Sequence, residues 1–361
     1  MKRIFGAAAK YVQGAGVIDE LGHYLRETGQ RPVIVIDHQI RELLSERLEK
    51  TLNDATLPVK LISFPGEVTH AVIDSLADLA RMADADVIVG VGGGKALDAA
   101  KGVALKLGTR FVSVPTIAST DGPASAAIAV YNDQHVMVEV LKLPRNPELV
   151  LVDSQVIIAA PIRFLLAGVG DAIAKKFEAE ACALAGKETP QGTLSTHSGL
   201  AAADTCYRLI RTHAIAALQA AKLGQVTEDV EALIEAAVLL STLGFENGGL
   251  SIAHAIARGF PYMEWAVRTL HGEHVAYGLL VQLVLEDRSL EFCSELYSFY
   301  GQIGLPRRLA DLGLENTSVS EIETLTEHAL VSPSIKRFRV EVTSQAIIQA
   351  INRVESWAPQ A

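Results

Sequence analysis

The sequence predicts an α/β N-terminal domain with a mainly parallel sheet, followed by an all-α C-terminal domain, with the active site in the cleft between them. Three observations carry this. Residues 1–160 alternate apolar, β-branched runs with helical stretches of about 10–15 residues, the pattern of a parallel sheet covered by helices. After Pro161, strand signals nearly vanish and Ala-rich helical spacing takes over. Between them, residues 86–101 read as strand, glycine turn and helix. A boundary near residue 160 therefore divides the 361 residues into 1–160 and 161–361.

Taken in order, residues 32–37 form a buried strand, and Ile40, Leu43, Leu44 and Leu48 give 39–51 helical spacing. Residues 59–64 are strand-like, and 71–82 are helical, entered through Thr69. Val87, Ile88 and Val89 run into Gly90, Gly92, Gly93 and Gly94, after which Leu97, Ala100 and Val103 share one helix face. Residues 110–115 are another strand. The second part carries helical periodicity over 162–186, 193–221, 226–258, 272–301, 304–313, 319–331 and 343–357. The apolar run 275–285 is shorter than the roughly 18 residues of a membrane span and reads as a buried helix.

Hydrophobic residues make up 49% and charged residues 20%, a globular balance with no compositional sign of long disorder. The net charge of −10 argues against a nucleic-acid or anionic-membrane surface. Cys182, Cys206 and Cys293 are too widely spaced for a disulfide framework or a thiolate metal site. They fit a reducing compartment, and residues 1–10 are too short and interrupted for a signal peptide, so a cytoplasmic protein is expected.

Ligands of parallel α/β sheets bind at the C-terminal strand ends. Three polar clusters belong there: Asp37, the turn Gly92 to Lys95, and Thr116 to Asp121. Glycines admit an anion where a Cβ would clash, and a helix start offers free N–H groups, so the turn is a pyrophosphate cradle or simply a tight packing point. It matches neither standard motif. The dinucleotide fingerprint needs a glycine where Lys95 stands; the P-loop needs glycine and Ser or Thr where Val89 and Ala96 stand. Asp37 could accept ribose hydroxyls and repel a 2′-phosphate, favouring NAD over NADP, or could cap the next helix. It precedes the glycine turn, unlike the acid of an ordinary Rossmann unit.

In the helical part, two glycines precede Asp171, which is a helix N-cap or a site acid. His254 lies on an Ala-rich apolar helix, as a core residue or a ligand. His271 opens an apolar helix as a cap-region histidine, and His274 reads as a surface residue. One carboxylate with two imidazoles makes a catalytic zinc set with an open position, although spacing alone does not join residues so far apart.

These motifs, in order, resemble the glycerol dehydrogenase branch of the iron-containing (type III) alcohol dehydrogenase superfamily over essentially the whole chain. The carriers are Tyr-Val-Gln-Gly at 11–14, Gly-Val-Gly-Gly-Gly-Lys-Ala-Leu-Asp at 90–98, Pro-Thr-Ile-Ala-Ser-Thr-Asp-Gly-Pro at 115–123, Gly-Val-Gly-Asp at 168–171, Gly-Phe-Glu-Asn-Gly-Gly at 244–249, Ala-His-Ala at 253–255 and His-Gly-Glu at 271–273. The resemblance implies a dehydroquinate synthase-like fold with NAD in the cleft and a divalent metal on Asp171, His254 and His271. It places the pyrophosphate contacts at Gly94, Lys95, Ala96, Leu97 and Asp98, with Gly92 and Gly93 as cofactor-binding residues of the same turn. Further NAD contacts fall on Asp37, Thr116, Ile117, Ala118, Ser119, Ser125, Ala127 and Tyr131. Asp121 and His271 take the catalytic roles, and Asp121, Phe245, His254 and His271 face substrate.

The resemblance also has departures. Iron-using relatives carry a histidine where Lys175 stands, so a three-ligand site suited to zinc is expected, with Fe²⁺ or another divalent ion as the alternative. Ala257 and Arg258 replace a usual His–Asn pair, Val267 and Arg268 replace two histidines, and His274 replaces a lysine. The two arginines either favour an anionic substrate or are surface charges. The implied activity is zinc-dependent, NAD-linked oxidation of the secondary hydroxyl of glycerol or a related 1,2-diol to a hydroxyketone. The alternatives are a 2-hydroxy acid or sn-glycerol-1-phosphate as substrate, then a dehydroquinate synthase-like lyase. The implied partners are a small polyol or hydroxy acid and further copies of the chain in a homo-oligomer, with no nucleic acid and no membrane.

Overall fold

The computed structural model describes residues 2–134, 136–263, 268–314 and 317–357. Six strands form one parallel sheet: β1 (Tyr11–Gly14), β2 (Pro32–Asp37), β3 (Leu61–Phe64), β4 (Val87–Gly92), β5 (Arg110–Pro115) and β8 (Leu149–Asp153), in the order β1-β8-β5-β4-β2-β3. An antiparallel hairpin of β6 (Ala127–Tyr131) and β7 (Met137–Lys142) stands apart from it. The central strands are apolar throughout because helices cover both sheet faces. Side chains alternate across the sheet. Ile34, Ile36, Val89 and Val91 pack with α1 (Leu21–Thr28) and α2 (Arg41–Asp54). Val33, Val35 and Ile88 pack with α3 (His70–Met82) and α4 (Gly94–Leu107). As expected, Thr69 caps α3, its hydroxyl accepting from the Val72 N–H at 3.2 Å.

From β2 the chain steps outward to β3, then returns to β4 on the other side of β2 and continues through β5 to β8. The reversal opens a crevice between the C-terminal ends of β2 and β4, where ligands of open α/β sheets lodge. Asp37 ends β2 and Gly92 ends β4, so the fold puts two of the expected polar clusters on this crevice.

After β8 the chain is helical. Its helices are α5 (Ser154–Ala159), α6 (Ile162–Ile173), α7 (Lys175–Leu184), α8 (His197–Lys222), α9 (Glu228–Glu235), α10 (Ser241–Gly248), α11 (Ile252–Ala257), α12 (His271–Leu285), α13 (Leu290–Ile303), α14 (Val319–Leu330) and α15 (Ser344–Glu355). Three expectations need correction. The stretch 226–258 runs from α9 through a π-helical turn (Ala236–Leu240) into α10, then bends by 104° before α11. Gly249 makes that bend at φ +118°, and a Cβ there would stand 2.4 Å from the Cys182 Sγ. The stretch 272–301 is two helices, because Asp287 takes φ +55° between α12 and α13. Within 304–313 only a 3₁₀ turn (Leu309–Leu312) forms. The run 275–283 is buried throughout, as expected of a core helix. Among the described residues no single helix is long and apolar enough to cross a membrane. The three cysteines are buried and unpaired.

Candidate active site

One wall of the site is made of backbone. Gly93 is the N-cap of α4, and the Leu97 N–H to Gly93 carbonyl bond (3.1 Å) closes its first turn. The N–H groups ahead of Leu97 belong to the unsatisfied start of the helix. At Gly92, φ is +151°, and a Cβ would lie 2.6 Å from the Ala96 Cβ and 3.0 Å from the Asp37 Cβ. A side chain there would force the two strand ends and the helix apart. By contrast, a Cβ on Gly94 would have only Thr120 Oγ1 near it, at 3.7 Å. A Cβ on Gly93 would lie 2.8 Å from Ile117 Cδ1, so of the turn's glycines Gly94 is the one without close packing over it, at a helix start that suits an anion. Asp37 accepts the Gln39 N–H at 3.0 Å and does not cap α2, whose N-cap is Ile40. The helix-cap reading of Asp37 is therefore wrong: the strand ends three residues before the N-cap.

Other residues of this wall are committed to the protein itself. Lys95 pairs with Glu67 at 2.7 Å, its ammonium 5.0 Å from the Tyr131 ring centroid. Asp98 accepts from Lys101 Nζ at 3.1 Å and from the Ala129 N–H at 3.0 Å. Burial pushes its carboxyl up, and Lys101 opposes that. The fully buried Lys101 also donates to the carbonyls of Gly122 (2.8 Å) and Ala127 (2.9 Å), tying α4 to the hairpin. The Thr116 N–H donates to the Gly92 carbonyl at 3.0 Å, and Ser125 Oγ to Gly122 at 3.2 Å. Burial raises the Tyr131 phenol, helped by the negative Asp98.

The other wall is made of side chains. Asp171 lies inside α6 and is not an N-cap, which corrects that reading of the two preceding glycines. Mid-helix glycine costs about 1 kcal/mol against alanine. Here a Cβ on Gly168 would stand 2.0 Å from the Ala118 carbonyl oxygen, one on Gly170 2.5 Å from that of Gly272, and one on Gly272 1.7 Å from that of Ala167. The glycines let the loop after β5 and the start of α12 press against α6 on either side of Asp171. His271 is the first residue of α12, and its ring centroid is 5.4 Å from that of His254. One donor atom each from Asp171, His254 and His271 lies within 4.8 Å of the others. A buried carboxylate with two imidazoles at this spacing fits the donor set of a three-ligand zinc site.

Glu178 orients this trio. Its Oε2 lies 2.7 Å from His254 Nδ1, while Oε1 accepts the N–H groups of Ser251 (2.8 Å) and His254 (3.0 Å) at the start of α11. Nε2 is thereby turned towards Asp171 Oδ1, 3.3 Å away. The Lys175 ammonium lies 2.5 Å from Asp171 Oδ1, 3.1 Å from Asp121 Oδ2 and 3.2 Å from His254 Nε2. Phe245 covers it, ring centroid 5.8 Å away.

Charge follows from these contacts. Burial would raise Asp171, but Lys175 and the His254 hydrogen bond outweigh it and hold the carboxyl well below the usual range. Burial would lower His254, but Glu178 lifts it to about 9. Burial, reinforced by the neighbouring Asp171 charge, raises Asp121. Packing around the ring, reinforced by the positive His254 and Lys175, holds His271 below the usual imidazole range, although one side of the residue is open.

Two consecutive residues join the walls. Thr120 stands over Gly94, while the Asp121 N–H donates to Asp171 Oδ2 at 3.3 Å. Asp121 is itself fixed by Ser241 Oγ (3.0 Å to Oδ2) and by Thr242 Oγ1 (2.6 Å to its carbonyl). The glycine turn and the Asp–His–His trio thus face one cleft.

Comparison with known proteins bears on what this cleft is. A family model described as iron-containing alcohol dehydrogenase matches residues 8–154. The glycerol dehydrogenase of Escherichia coli O6:H1 is 40% identical over 329 residues, covering 91% of this chain and 90% of that one. That of Thermotoga maritima is 39% identical over 350 residues, covering 96% and 95%. The crystal structure of a probable glycerol dehydrogenase from Sinorhizobium meliloti 1021 superposes with a TM-score of 0.93 at 39% identity, covering all of both chains. The chain belongs to the iron-containing alcohol dehydrogenase family. It is an oxidoreductase acting on CH–OH groups, with the two-part fold of that family.

Within this alcohol dehydrogenase the departures have definite places. His274 is buried, not on the surface: it stacks on Phe260 (4.6 Å, 11°), with Nε2 2.6 Å from Thr269 Oγ1. Burial lowers its imidazole to about 3, so it is a neutral core residue. Arg258 follows His254 by one helical turn and is half-buried, next to the buried Ala257. Arg268 is exposed, its carbonyl accepting from Arg163 at 2.8 Å. Val267 lies outside the described residues. The sequence reading missed Glu178, Ser241, Thr242 and the inward Lys101. Glu178 had a signal: with Asp171 and Lys175 it makes an i, i+4, i+7 stripe on one helix face.

Proposed function

We propose that this enzyme oxidises the secondary hydroxyl of glycerol, or of a related small 1,2-diol, to a hydroxyketone, with NAD and a divalent metal, zinc before Fe²⁺. The bridging of the glycine turn to the Asp171–His254–His271 trio by Thr120 and Asp121 carries the reading. The names of the relatives support the substrate. The cofactor part falls on residues 1–160 and the metal part on 161–361.

When bound, NAD supplies a hydride acceptor and the metal a Lewis acid that eases loss of the hydroxyl proton. The chain's own residues do the rest. Gly92, Gly93 and Gly94 leave the α4 start bare for the pyrophosphate, and Asp37 meets the ribose at the crevice. Asp121, held from behind by Ser241 and Thr242, accepts a hydrogen bond from the neighbouring hydroxyl and fixes which carbon faces the nicotinamide. Phe245 closes the site against water. Glu178 holds a proton on His254 Nδ1 and aims Nε2 at the trio, so that Nε2, on giving up its own proton, is the nitrogen that would meet the metal.

A 2-hydroxy acid is the second reading, favoured by Arg258 one turn beyond His254. A panel of glycerol, 1,2-propanediol, lactate and glycerol 1-phosphate, followed by NADH absorbance with zinc-loaded protein, separates them. Glycerol or the diol should give the highest kcat/KM. Turnover of lactate alone favours the second reading, and turnover of none removes both.

A further inference from the structure

The proposed reaction leaves one buried cation without a task. Lys175 is wholly buried and its ammonium touches Asp121, Asp171 and His254. Glu178, another fully buried carboxylate, lies one turn further along the helix. An ammonium is buried only where such partners replace its water. Two of those partner atoms, Asp171 Oδ1 and His254 Nε2, belong to the trio, and Nε2 is the ring nitrogen that Glu178 leaves for a metal. They are 3.3 Å apart. Bonds of about 2.0–2.2 Å at a tetrahedral ion set two donors roughly 3.3–3.6 Å apart. This pair is already spaced for a metal, and both atoms already face a positive group. A second cation placed beside the first is also repelled by it, most strongly where water is excluded.

We propose that the Lys175 ammonium is the resident cation of this site: it orders Asp171 and His254 in the metal-free protein, and a divalent metal binds in competition with it. This rests on the metal reading given above. The chain then holds its metal more loosely than the same trio would without the lysine, and its site keeps its shape when the metal leaves.

Zinc titrated calorimetrically into the metal-free protein, into Lys175→Met, and into the Lys175→Met/Asp121→Asn double variant tests this. The double variant removes one positive and one negative charge together, so it carries the comparison if the single variant does not fold. Zinc should bind both variants at least tenfold more tightly than the natural chain. Melting curves give a second readout: metal-free Lys175→Met should melt below the natural protein and gain more from zinc. Equal affinities, within a factor of two, would overturn the competition and leave the metal reading standing. Zinc bound by the variants alone would support the competition and remove the metal from the natural enzyme. Zinc bound by none would overturn both.

Discussion

On one wall of the cleft, Gly92, Gly93 and Gly94 offer a ligand bare backbone; on the other, Asp171, His254, His271 and Lys175 offer charged side chains. The backbone wall lies within one strand–turn–helix unit and has only the partial charge of a helix start. It therefore needs no counter-ion. The side-chain wall draws on α6, α7, α11 and α12, and buries three carboxylates, counting Glu178 and Asp171 with the nearly buried Asp121. Such a cluster persists only if every charge is paired. The first wall should thus be sensitive to added atoms, and the second to lost charges.

Five substitutions put that contrast under strain. His254→Ala deletes a donor and strands Glu178; turnover should fall at least about a thousandfold, roughly 4 kcal/mol of transition-state stabilisation. Steady-state kinetics with metal analysis checks it, and near-normal turnover with stoichiometric zinc would remove His254 from the ligands. Glu178→Gln keeps the shape and loses the charge behind His254. Metal affinity should weaken about 10–100-fold, measured by chelator competition. Gly94→Ala adds one methyl group to the open helix start. The KM for NAD should rise about tenfold, near 1.4 kcal/mol, with an unchanged melting temperature. The same methyl at Gly92 should lower the melting temperature, because it meets Ala96 and Asp37. Asp37→Ser should shift the NAD/NADP ratio of kcat/KM by only a few-fold, about 1 kcal/mol, since this carboxylate is partly exposed and already bonded to Gln39.

The two walls also differed in how far they could be read from sequence. β2, β4 and β5 were legible because a strand buried on both faces is one unbroken apolar run, and the glycine turn is contiguous with β4. The hairpin strand β7 was not, because its apolar residues fall on both faces, with Val138 and Val140 exposed and Leu141 packed on the core, so no alternation marks it. The break between α12 and α13 falls in the polar run 286–289, which an exposed turn of one helix could also carry, while the decisive event is one backbone angle at Asp287. Asp171 looked like a cap because glycine usually marks a helix end; Gly168 and Gly170 instead make room for carbonyls from distant loops. Lys175 was legible as a missing histidine. Its part as a buried counter-charge was not, because Asp121 and His254 reach it only through the tertiary fold.

The most direct measurement is NADH formation from glycerol by protein stripped of metal with a chelator, before and after zinc is returned. Turnover should fall to background on stripping and recover at one zinc per chain. Undiminished turnover by the stripped protein would contradict the assignment of Asp171, His254 and His271 as the metal-bearing wall of this active site.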